Sequence, residues 1–129
     1  MHTSIYAGLC GLLLAWLALQ TINMRRANKV KLGDGGVFAL QSAIRAHGNF
    51  AEYMPVTLIL LFFLEYNGAL VWVVHLIGIA FLAGRYIHAQ GLLTDNLSKR
   101  RRGMGITLIV LIGLSIANIA LATFNIFKS

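Results

Sequence analysis

The sequence predicts an all-α integral membrane protein of four spanning helices, and three observations predict it. The 129 residues are 58% hydrophobic and only 12% charged, against about 25% charged in an ordinary soluble domain. The apolar residues are gathered into four long runs, each longer than the roughly 20 residues a helix needs to cross about 30 Å of hydrocarbon. The basic residues collect between the runs: eight of the 11 Lys and Arg are Arg25, Arg26, Lys29 and Lys31, then Lys99, Arg100, Arg101 and Arg102. A soluble enzyme is excluded, because so few polar residues could not cover its core. Nucleic acid is set aside as a partner despite the net charge of +7, because basic clusters flanking apolar spans orient a protein in its bilayer.

Taken in order, the first span covers residues 4–22 and carries no charge. It has neither a basic leading region nor a small-x-small cleavage site, so it reads as a retained helix. The second, 37–64, contains Arg45, Glu52 and Pro55, and the third, 69–93, contains His75, Arg85 and His88. The fourth, 104–127, is uncharged again. No repeat or second domain is visible, so residues 1–129 read as one transmembrane domain. The loops 23–36 and 94–103 then share one side of the membrane and the turn 65–68 lies on the other. The basic excess places both loops in the cytoplasm and both termini outside the inner membrane. Gly33-Asp34-Gly35-Gly36 is a turn signal without the spacing of a phosphate-binding loop. Glu65 is expected in solvent at the outer turn, and Asp34 and Asp95 on the surface. Cys10, the one cysteine, reads as a small packed hydrophobe. With His2 it has no metal-binding spacing, and no metal site is expected.

The charges inside the spans carry the functional information. Even a lenient scale puts Arg or Asp at the centre of a membrane helix at about 2.5–3.5 kcal/mol, so such residues face a partner or a wet cavity. Gln41, Arg45, Asn49 and Glu52 are spaced 4, 4 and 3 apart, which places them on one stripe of the second helix. Arg45 and Glu52 are two turns apart, about 10.5 Å of rise, so a direct pair requires both side chains to stretch. The stripe is either a polar network holding helices together or a site for a zwitterionic or anionic ligand, with Arg45 on a carboxylate, Glu52 on an amine and Asn49 on an amide. Pro55 removes a helical hydrogen bond to Ala51, and Tyr53 sits beside the stripe. On the third helix Arg85 and His88 share a face, where Arg85 either snorkels to the interface or touches a ligand. His75 lies at the far end of that helix, as an interfacial or packed residue. No Ser-His-Asp order and no catalytic carboxylate pair is present.

The segment Arg45-Ala46-His47-Gly48-Asn49-Phe50-Ala51-Glu52-Tyr53-Met54-Pro55 resembles the R-A-x-x-N-x-x-E-x-x-P signature of the MAPEG proteins, the membrane-associated proteins of eicosanoid and glutathione metabolism. The likeness extends over chain length, four spans, a basic first loop and Arg85-x-x-His88, and is nearest the prokaryotic branch. It implies a homotrimer of four-helix protomers, with glutathione as co-substrate held between subunits near the cytoplasmic face. On that resemblance Arg45, Asn49 and Glu52 hold the tripeptide, Arg25 contacts it from the first loop, and Tyr53, Arg85 and His88 complete the binding set. Arg101, by its distance from His88, matches the arginine that stabilises the thiolate. The sequence departs from the active eicosanoid-type pattern at Leu92, where those members carry tyrosine.

Two functions follow, and a third is set aside. The first is a glutathione transferase or peroxidase acting on a lipophilic electrophile or hydroperoxide that arrives from the bilayer. The second is a non-catalytic binding or scaffold protein, which Leu92 favours. A small multidrug exporter also has four spans, but that class relies on a glutamate in the first helix, which carries none here.

Overall fold

The computed structural model describes residues 1–129. The four apolar runs form α1 (Thr3–Asn28), α2 (Phe38–Tyr66), α3 (Val71–Leu93) and α4 (Leu97–Lys128), with no strand, and each is long and apolar enough to cross a membrane. Short connections make the four run up and down. α1 packs on α2 and α3, α4 packs on α3 and α2, and α1 and α4 do not meet. At 1.5 Å per residue α2 and α4 are about 43 and 48 Å long, well beyond a hydrocarbon thickness of about 30 Å. Their ends therefore stand out of the apolar layer.

That surplus length corrects two expected boundaries. α1 continues through Arg25 and Arg26 to Asn28 and stops at Lys29, which is left-handed at φ 54° and donates its N–H toward Arg25 and Arg26 carbonyls. α4 begins at Leu97 rather than near 104, so Lys99–Arg102 are helical and the connection from α3 shrinks to residues 94–96. Asn96 makes this start: its side chain accepts from the Lys99 N–H at 3.1 Å, satisfying one of the donors that open a helix. Hydropathy alone marks where lipid begins, whereas the cap marks where the helix begins. The Gly33–Gly36 segment is a turn, with Gly33, Gly35 and Gly36 all at positive φ and the Gly36 N–H bonded to the Asp34 carboxylate at 2.9 Å.

Glu65 is not in solvent. It lies in the last turn of α2 with its side chain 12% exposed, and its carboxylate accepts from the His2 N–H at 2.5 Å, the Thr3 N–H at 2.7 Å and the Thr3 hydroxyl at 2.5 Å. The end of α2 thus caps the start of α1, where a negative charge is favoured by the helix dipole. At the same end the Tyr6 hydroxyl meets His75 Nδ1 at 2.6 Å, so His75 is packed, and Asn118 donates to the Leu60 carbonyl at 2.9 Å.

Two apolar layers fill the bundle. Tyr6, Leu61, Leu64, Val74 and Leu114 pack towards the Glu65 end. Cys10, Leu17, Ala46, Phe50, Phe81, Ala89 and Leu92 pack towards the basic end, with Cys10 at 0% exposure. Outward-facing Leu12, Ile79, Ile109, Ile112, Ile116 and Ile119 are all exposed, an apolar shell suited to lipid and not to water. α3 and α4 approach most closely near the basic end. There a Cβ added at Gly91 would strike the Arg100 backbone, and one at Gly103 would strike the His88 backbone and lie 2.6 Å from the Gly84 carbonyl. Glycine at these two places lets the helices touch backbone to backbone.

Candidate functional site

That close approach places Arg85 of α3 inside the protein. Its side chain is 1% exposed and therefore does not snorkel to an interface. The guanidinium donates to Asn49 Oδ1 of α2, to Thr107 Oγ1 of α4 at 3.2 Å, and to His88 Nδ1 at 3.4 Å, and it stands 5.3 Å over the Tyr53 ring. Thr107 in turn donates to the Gly103 carbonyl at 2.8 Å. The protein's ion pairs are the N-terminal amine with Glu65 and Arg45 with Glu52, so no carboxylate pairs directly with Arg85. Its Nε is the one buried side-chain polar atom without a partner. A buried cation held only by neutral dipoles and one aromatic face is expensive, and it projects a positive potential onto whatever lies beside it.

Beside it are two adjoining cavities at the basic end. One, of 220 Å³, is lined by Arg45, Asn49, His88, Leu92, Arg100 and Arg101, among others. The other, of 270 Å³, opens toward the bundle end between Gln41, Ser42, Arg45, Asp95 and Arg100. They share Arg45, Leu92, Leu97 and Arg100, so together they lead from the surface to Asn49 and His88. Lys99, Arg100, Arg101 and Arg102 fill the opening turns of α4 with no acid in the first turn. Four cations there oppose the positive end of that helix's dipole. The dipole therefore gives these four cations no support, and they leave the cavity mouth strongly positive.

The expected residues divide into three groups. Arg45, Asn49, His88 and Arg101 line one cavity, with Arg85 and Tyr53 supporting it from behind. Glu52 and Arg45 do pair directly, at 3.4 Å, with side chains 58% and 51% exposed; both long side chains span the two turns between them. The stripe on α2 therefore fans out, Asn49 turning into the bundle toward α3 and Glu52 turning away from it. Arg25 stands apart. It donates to the Gly33 carbonyl at 2.6 Å and lines a separate cleft with Ile22, Arg26, Lys29, Val30 and Lys31.

Thr107 and Arg100 were not singled out from the sequence. Thr107 gives no signal on its own, being one hydroxyl in an apolar run, yet it fixes Arg85 from α4. Arg100 was visible only as one of four basic neighbours. Gly91 and Gly103 carried the missing hint, since paired small residues on consecutive spans mark helices in close contact.

Comparison with known proteins agrees with this architecture. The chain is 42% identical over 119 residues to inner membrane protein YecN of Escherichia coli, in strain K12 and in strain CFT073, an alignment covering 92% of this chain and 91% of the relative. The sequence profile of the MAPEG family matches residues 3–120, which takes in α1, α2, α3, most of α4 and every residue of the cavity. The chain is a four-helix membrane protein of the MAPEG family.

Proposed function

We propose that this protein binds glutathione at the basic-end cavity and uses its thiol on a lipophilic electrophile or hydroperoxide, as a transferase or a peroxidase. The observation that supports the reading is the convergence of Arg45, Asn49, His88, Arg100 and Arg101 on one cavity, with the buried cation of Arg85 behind it. Glutathione offers two carboxylates, an ammonium, two amides and a thiol. Arg45 and Glu52, mutually paired and both open, are matched to a ligand carboxylate and ammonium. A fixed cation such as Arg101 lowers the pKa of a thiol from about 8.5 and raises the thiolate fraction at neutral pH. In conjugation the thiolate forms a C–S bond while the electrophile's leaving group departs or its double bond takes a proton. In peroxide reduction the thiolate sulfur takes the terminal oxygen as the O–O bond breaks, the alkoxide leaves as an alcohol after taking a proton, and a second glutathione displaces water from the sulfenic acid to give the disulfide.

The assembly belongs to the same proposal. Glu52 lies halfway along α2 and is more than half exposed, and a mid-span carboxylate facing lipid costs several kcal/mol. A neighbouring copy in a homotrimer covers it and brings Arg25, which lies apart within one chain, across the interface to the ligand. The proposed orientation sets the cavity at the cytoplasmic face of the inner membrane with both termini outside, a reading that the positive-inside rule and the eight basic residues support.

The test is a glutathione titration of the purified protein in detergent, with Arg45→Ala and Glu52→Ala alongside. Binding that is absent, or that ignores both substitutions, removes the assignment. Thiolate absorbance and conjugation of a generic electrophile then report catalysis, and both fall in Arg101→Ala. A non-catalytic binding role is the second reading, favoured by Leu92, which lines both cavities and carries no hydroxyl. Binding without thiolate absorbance or turnover selects it.

A further inference from the structure

We infer that Arg85 is a positioning residue that sets the amide orientation of Asn49 and the tautomer of His88, turning the cavity into an array of N–H donors that accepts a carboxylate or another acceptor-only anionic group. The inference deepens the ligand reading above and rests on the same cavity. It starts from the donor inventory of a guanidinium, which has five N–H donors and no lone pair. Every atom bonded to Arg85 must therefore accept. On Asn49 that atom is Oδ1, so the amide nitrogen points elsewhere. On His88 it is Nδ1, so a neutral ring carries its proton on Nε2.

Where these two nitrogens go follows from what they lack. Neither Asn49 Nδ2 nor His88 Nε2 has a hydrogen-bond partner in the protein, and Arg85 Nε is the one side-chain polar atom both buried and unpartnered. Both nitrogens therefore reach open space. The cavity that each residue lines is the 220 Å³ one shared with Arg45, Arg100 and Arg101. Its polar wall consists of three guanidinium groups, an amide NH2 and an imidazole N–H, with no carboxylate among them.

The position of Arg85 is fixed from α4. The Thr107 hydroxyl spends its hydrogen on the Gly103 carbonyl and offers its lone pair to Arg85. Thr107 thereby holds the guanidinium in place from α4, and because Arg85 has no lone pair the donors run one way, from Arg85 to Asn49. A substrate whose binding group is itself a donor meets donor against donor there, whereas a carboxylate meets partners on every side.

The first measurement needs no ligand. With 15N-labelled histidine, and His88 assigned from its absence in His88→Gln, the neutral ring is expected as the Nε2–H tautomer in the wild type and as a mixture in Arg85→Met. The second uses Asn49→Asp, whose carboxylate keeps a bond to Arg85 and supplies its missing counter-charge, so the variant folds at least as stably as wild type. Its second oxygen puts an acceptor into the cavity, and glutathione affinity falls at least about tenfold. An Nδ1–H tautomer in the wild type, an unchanged tautomer in Arg85→Met, or wild-type affinity in Asn49→Asp overturns the inference. If Arg85→Met does not fold, the wild-type tautomer and Asn49→Asp decide it. If wild-type protein binds no glutathione, the proposed function falls while the tautomer still decides the role of Arg85.

Discussion

Replacing Gly103 with alanine tests whether the backbone contact between α3 and α4 holds the cavity together. The new Cβ lies 2.6 Å from the Gly84 carbonyl, where an ordinary contact starts at 3.4 Å, and it also overlaps the His88 backbone. Both neighbours are main chain, so neither rotates away, and the helices must part by at least about 0.8 Å, the difference of those two distances, because the His88 backbone lies closer still. The same displacement stretches the Arg85–Thr107 bond from 3.2 Å to about 4 Å, beyond hydrogen-bond reach. Overpacking costs about 1–3 kcal/mol, and losing a buried bond to a charged group about 1.5–3 kcal/mol, so the variant is destabilised by about 2.5–6 kcal/mol. Unfolding of detergent-solubilised protein by SDS, followed by far-UV circular dichroism, measures this. Gly113→Ala is the control: it lies on the same helix with nothing within 4 Å of its added Cβ and should be neutral or stabilising by up to about 1 kcal/mol. If Gly103→Ala unfolds with Gly113→Ala, the close contact is not what fixes Arg85, and the reasoning fails.

Three further outcomes follow. Thr107→Val removes the acceptor for Arg85 and the donor to Gly103 and costs about 1–3 kcal/mol in the same assay, whereas Thr107→Ser retains wild-type stability. Glu65→Gln removes the charge that caps α1 and loosens that helix start by about 1 kcal/mol, read as faster hydrogen exchange at the first amides of α1 with the rest unchanged. Leu92→Tyr sets a hydroxyl into the cavity wall, and conjugation of a generic electrophile rises if catalysis is limited by that missing donor; an unchanged rate refutes it.

The four helices were legible because lipid demands long uncharged runs, and 4–22 and 104–127 mark α1 and α4 by that demand alone. Their true ends were not, because Arg25, Arg26 and Lys99–Arg102 are as helical as their neighbours once they stand in the interface. Arg45 and Asn49 were readable from their spacing, since one helix fixes it. The role of Arg85 was not, because it depends on Thr107, 22 residues away on another helix, and on glycines whose importance is the absence of a side chain. Glu65 was misplaced for a similar reason: its partners, His2 and Thr3, lie more than 60 residues away. A lone glutamate near a turn looks solvated until the far end of the chain is packed against it.

The single thiol gives the molecule a practical property. Cys10 is sealed at 0% exposure between Leu17, Phe50 and Phe81 in the core, out of reach of aqueous reagents while the fold is intact. A folded sample is therefore spectroscopically silent in the thiol region, and any thiolate signal that develops on adding glutathione originates in the added tripeptide. The same seal makes the reactivity of Cys10 toward a maleimide a clock for unfolding, running only when the core opens.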